Sequence, residues 1–100
     1  MAFRIRWTES AANDFEDIAQ RIEREADFIE SCEIARSIHK RIEGLKEHPY
    51  IGEALEDYPK LRQRLTNGFR VVYQTFDSEE TVEITRILSQ RQNLSLHLDT

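Results

Sequence analysis

A chain of 100 residues with 39% hydrophobic and 33% charged side chains makes a single domain, residues 1–100, and can bury roughly 60 to 70% of its unfolded surface in a single two-layer core. Its net charge of −5 argues against a general polyanion binder, and 3 glycines with 2 prolines leave little room for linkers or low-complexity sequence. Residues 1–6 alternate in polarity and no apolar run approaches membrane-spanning length, so neither a leader nor a membrane partner is expected and the cytoplasm is the expected location.

Phe3-Arg4-Ile5-Arg6-Trp7 alternates at period two and predicts a short strand. Thr8 then caps a helix opened by Glu9, on which Ala11, Phe15, Ile18 and Ile22 form an apolar stripe. Asp27 and Glu30 have capping-box spacing, so the first helix stops near Glu25 or Ala26 and a second starts after Asp27. Ala35, Ile38, Ile42 and Leu45 carry the second stripe, which His48-Pro49 ends because the residue before proline is pushed out of helical angles. Single Cys32 excludes an internal disulfide and is read as helix packing. No second thiol or histidine sits at zinc-ligand spacing, so no metal or other cofactor is expected.

Residues 49–59, with both prolines and Gly52, read as an ordered connector. Lys60 to Leu65 predicts a strand of poor alternation. Asn67-Gly68 predicts a type I′ hairpin into Phe69–Phe76, because both turn positions need positive φ. Asp77 to Glu80 turns the chain into a last strand, Thr81–Leu88. The expected fold class is α+β: an N-terminal strand, a helical hairpin, then a three-stranded antiparallel meander, with the helices packed on one sheet face and the other face partly open. Val72 and Phe76 on that open face are expected to invite a partner strand or helix.

Charge is unevenly spread. Residues 9–48 hold 11 acidic and 6 basic side chains, Glu53, Glu56 and Asp57 follow, and residues 60–91 hold 4 acidic and 6 basic. An anionic partner would therefore meet the C-terminal half, although solvated helix glutamates explain the imbalance equally well. Strand arginines are costly to desolvate and sit where a sheet opens to solvent or to an anion, which marks Arg70, Arg86 and Arg91 as one candidate surface. Alternation places Arg70 with Val72, Gln74 and Phe76, and Arg86 with Val82 and Ile84. An ion pair of Arg86 with Glu83 or a helix carboxylate is the structural alternative, and a solvated strand face is the alternative for Arg62 and Arg64. Tyr73 and Trp7 read as core packing.

Pro49-Tyr50-Ile51-Gly52, Leu61-Arg62-Gln63-Arg64-Leu65, Phe69-Arg70-Val71-Val72-Tyr73 and Val82–Leu88 running on to Arg91, in that order after a helical hairpin, resemble the RelE/ParE toxin superfamily of type II toxin-antitoxin systems. The resemblance spans nearly the whole chain. It implies a cognate antitoxin that wraps the toxin as a hetero-oligomer, and one of two activities. RelE-like members are ribosome-dependent endoribonucleases acting on mRNA; ParE-like members inhibit DNA gyrase without cutting nucleic acid.

For a RelE-like enzyme the resemblance implies Arg70 and Arg91 as catalytic arginines, a basic strand at Lys60, Arg62 and Arg64, and His97 near a catalytic position. RNA cleavage needs a base for the ribose 2′-hydroxyl and an acid for the leaving oxygen, and arginine is a poor base. A pI near 5.2 also argues against docking into ribosomal RNA. The Leu61–Leu65 and Arg86–Arg91 segments resemble ParE-like members more, with Ser89 standing where that pattern often has histidine. The expectation is a ParE-like gyrase inhibitor that meets its target through Arg62, Arg64, Arg70, Arg86 and Arg91. A RelE-like endoribonuclease and a non-toxic antitoxin-binding homologue are the alternatives.

Overall fold

The computed structural model describes residues 2–25 and 28–92. The expected capping pair at Asp27 and the histidine at 97 lie outside the described residues. Strand β1 (Arg4–Trp7) turns Ile5 and Trp7 toward the core and leaves Arg4 and Arg6 exposed. Thr8 then opens helix α1 (Glu9–Glu25): its Oγ1 accepts the Ala11 N–H at 3.0 Å, while its hydroxyl is shared between the Ile84 and Thr85 carbonyls. One side chain thus starts the helix and ties it to the sheet.

Helix α2 (Phe28–Glu43) ends earlier than Pro49 requires. The chain tightens into a 3-10 turn, Gly44–Lys46, where glycine is a poor continuation of the α-helix, and Leu45 is buried from that turn. Ala11, Ile18 and Ile22 from α1 and Ile38 and Ile42 from α2 meet Val71, Tyr73, Val82, Ile84 and Ile87 of the sheet in one core. Trp7 stacks edge-on against Phe15 with ring centroids 5.7 Å apart. Tyr73 is fully buried, as core packing requires, and Cys32 is half-buried on α2.

The expected connector contributes a strand of its own. β2 (Glu53–Ala54) forms the sheet edge beside β3 (Leu61–Thr66), followed by β4 (Phe69–Phe76) and β5 (Thr81–Ser89) in the order β1-β5-β4-β3-β2. The β3–β4 turn has Asn67 at φ 50° and Gly68 at φ 82°, the positive pair a type I′ turn needs. All pairings are antiparallel except β1 with β5, which run parallel so that β1 leads directly into the covering helices.

Two expectations change at this level. Val72 faces Arg86 while Tyr73 faces Ile84, so Thr85 is one residue too many, a β-bulge. The bulge breaks the alternation of β5 and places Arg86 on the row of Val72 and Gln63, away from Val82 and Ile84. Ile87 takes the core position instead. Val72 itself is fully buried, as is Leu88, and Phe76 lies under the Arg6 guanidinium, so Leu65 is the large apolar side chain most exposed on that face.

Candidate functional site

Arg70 stands near the start of the central strand β4, opposite Leu65 on one side and Leu88 on the other. Its Nη1 donates to Gln63 Oε1 at 3.0 Å and its Nη2 to the Gln90 carbonyl at 2.9 Å, while its Nε is buried with no hydrogen-bond partner. Both partners are neutral, so the guanidinium is fixed in place with no ion-pair partner among the described residues. That is what binding a carboxylate or a phosphate requires.

The exit of β5 is fastened to the same end of the sheet. Gln90 N–H donates to the Gly68 carbonyl at 2.9 Å, and the Arg91 N–H donates to Ser89 Oγ at 3.2 Å. Arg91 is exposed immediately beyond, which brings Arg70 and Arg91 to one end of the sheet through their shared neighbour Gln90. Ser89 also donates its N–H to Gln92 Oε1 at 2.6 Å, so this position shapes the strand exit.

Arg86 shares that sheet face but is held by the fold. Its Nε and Nη2 reach Asp14 Oδ2 and Oδ1 of α1 at 2.7 and 3.0 Å, and the same carboxylate takes the Ile87 N–H at 3.0 Å. The bond to Asp14 raises the Arg86 pKa still further above its ordinary value, against a smaller opposing effect of burial. This is the helix carboxylate pairing that the sequence leaves open. Asp14 was legible as a candidate, since it stands three residues after Ala11 and four before Ile18, a charge on an otherwise apolar stripe.

Arg62 and Arg64 lie on the opposite, helix-covered side, paired with Tyr73 and Val71. Arg62 donates to the carbonyls of Gly52 at 2.8 Å and Tyr50 at 3.2 Å and stands 5.5 Å from the Tyr50 ring centre. The Tyr50 hydroxyl donates to Asp77, and that bond foremost raises its pKa. Arg64 faces α2. Lys60 is exposed ahead of β3; the adjoining Leu61 pairs with Gln74, four residues from Arg70, or about 13 Å along the strand. The five target-binding candidates are thus split between two faces, and Lys60 is not gathered with Arg70. The described residues contain no cluster of metal ligands. Such an arrangement is suited to binding and orienting negative charge.

The family model for the ParE toxin of type II toxin-antitoxin systems, parDE, matches residues 5–94. A search of the curated proteins found no match. Among solved structures, the chain is similar to the chromosomal ParDE system from P. aeruginosa, with a TM-score of 0.74 and 16% identity over 88% of this chain and 96% of that one. It is also similar to the toxin-antitoxin complex RelBE2 from Mycobacterium tuberculosis, with a TM-score of 0.68 and 18% identity over 89% of this chain and 99% of that one. The YoeB/ParE toxin from Agrobacterium tumefaciens gives a TM-score of 0.64 and 24% identity over 86% of this chain and 96% of that one. At such identities the structures speak for the fold, and the match over residues 5–94 speaks for the family. The chain belongs to the ParE toxin family of type II toxin-antitoxin systems, within the RelE/ParE superfamily.

Proposed function

We propose that this toxin acts in the cytoplasm by inhibiting DNA gyrase, and that a cognate antitoxin neutralises it in a hetero-oligomer. The observation that carries the choice of a protein target is charge. With a net charge of −5, the chain lacks the basic surface that docking into ribosomal RNA draws on, since such affinity grows with the number of phosphates contacted. An Arg70 fixed by neutral partners and without an ion pair among the described residues, with an exposed Arg91 at the same sheet end, suits recognition of one or two carboxylates on a folded protein surface.

The RelE-like reading draws on one feature, the position of Arg70 and Arg91 at the same sheet end, where two cations could stabilise a phosphorane. Lys60, one residue beyond Leu61 and so more than about 13 Å of strand away, does not add a base there. Induced expression in a bacterial host tests the choice. Filamentation with DNA damage is expected for the gyrase reading. Immediate arrest of translation with cleaved mRNA contradicts it.

A further inference from the structure

On the helix-covered side, a cavity of about 430 Å³ opens between α2, the Gly44–Lys46 turn and β3. Lys40 and Arg41 enter it from the end of α2, Arg64 from β3 and His48 from the turn beyond, with Ile51 on the wall. None of Lys40, Arg41 and Arg64 forms an ion pair or hydrogen bond with a described residue. The nearby Glu43 is engaged elsewhere, with Lys46 at 2.6 Å and His39 at 3.8 Å.

The negative end of the α2 dipole favours Lys40 and Arg41 where they stand. It does not account for Arg64, which arrives from another element and adds like charge to the same opening at a Coulombic cost. Two other cavities differ in kind: one, adjoining it at Ser37, is walled by Glu30 and Glu33, and the other sets Arg4 against Glu79 and Glu80. The positive cavity is therefore a local well on a chain of net charge −5, with Glu33, Glu47 and Glu53 exposed on the elements around it. Such a well admits a compact anion and repels a continuous phosphate backbone. Ile51, 51% exposed, supplies an apolar contact beside the charges.

We infer that the cavity bounded by Lys40, Arg41, Arg64 and Ile51 seats a carboxylate side chain of the antitoxin, with an apolar neighbour packing on Ile51. This rests on the antitoxin reading above. It separates the antitoxin's anchor from the Arg70–Arg91 end of the sheet, so neutralisation and target binding draw on different faces.

Calorimetric titration of the whole toxin with its purified antitoxin tests it, using Lys40→Glu with Arg64→Glu, the milder Lys40→Gln with Arg64→Gln, and Arg36→Glu as a control on the same helix. Circular dichroism and thermal unfolding confirm that each variant folds. The double reversal is expected to weaken binding tenfold or more, the glutamine pair to weaken it less, and Arg36→Glu to leave it unchanged. Changing one antitoxin carboxylate to lysine is expected to restore binding to the double reversal. Native affinity in the folded double reversal, or a loss that no such change repairs, overturns the inference while leaving the antitoxin reading intact. Failure of the native toxin to bind the antitoxin overturns both.

Discussion

Asp14 of α1 binds the Arg86 guanidinium side-on at 2.7 and 3.0 Å and takes the Ile87 amide with the same carboxylate at 3.0 Å. β1 accompanies β5 only as far as Ile84, so the amide beyond the Thr85 bulge would otherwise be an orphan at a strand edge. The carboxylate closes that edge and neutralises Arg86 together. Asp14→Ala takes the side-on carboxylate from a partly buried guanidinium and the acceptor from the Ile87 N–H, and is expected to lower stability by about 2 to 4 kcal/mol in urea unfolding. Loss below about 0.5 kcal/mol would show that the bulge is held by other contacts.

Arg70 and Arg86 then differ in what their removal does. Arg70 is held by Gln63 Oε1 and the Gln90 carbonyl, so Arg70→Ala is expected to cost only about 1 kcal/mol yet abolish growth arrest. Arg86→Ala is expected to act mainly on stability. Urea unfolding and a growth assay on both variants check this, and the opposite ranking would place the target contact at Arg86.

Gly52 is required by contact. A Cβ there would come within 2.5 Å of the Tyr73 hydroxyl and 2.8 Å of the Gln63 carbonyl oxygen. The Gly52 N–H also donates to that hydroxyl at 2.8 Å. Gly52→Ala is expected to destabilise by about 1 to 3 kcal/mol, because the edge rung of β2 must move off β3. Native stability in thermal unfolding would contradict this packing.

Burial raises the Tyr73 pKa above the ordinary phenol value, against smaller opposing effects of the Gly52 bond and of Arg62 and Arg64. The folded state therefore keeps this proton after the unfolded chain has lost it. Its contribution to stability is complete below pH about 10 and is lost as pH rises through the folded value, at up to about 1.4 kcal/mol per pH unit. Tyr73→Phe is expected to flatten the alkaline fall of unfolding free energy between pH 9 and 11. An unchanged slope would assign that fall to other groups, such as Tyr50.

Period and turn chemistry made most of the fold legible: Asn67-Gly68 fixed β4, and the helix stripes located the core. Periodicity could not show that β1 runs parallel to β5, nor that two residues of the connector, Glu53 and Ala54, form the edge strand. The Thr85 bulge carries no glycine or proline to announce it, so simple alternation put Arg86 on the wrong face. The site was legible only as a set of arginines. Their division between two faces depends on register, and the partners of Arg70, Gln63 and Gln90, are ordinary polar residues in the sequence. Lys40 and Arg64 meet across 23 intervening residues, a proximity that only the packing of α2 against β3 creates.

The most direct test of the central claim is a supercoiling assay with purified DNA gyrase, run beside a translating-ribosome assay for mRNA cleavage. Gyrase inhibition through Arg70 and Arg91 predicts that the toxin blocks supercoiling, that Arg70→Ala with Arg91→Ala relieves the block, and that mRNA on ribosomes stays intact. Cleavage of ribosome-bound mRNA with supercoiling untouched would contradict it and assign the Arg70–Arg91 sheet end to RNA.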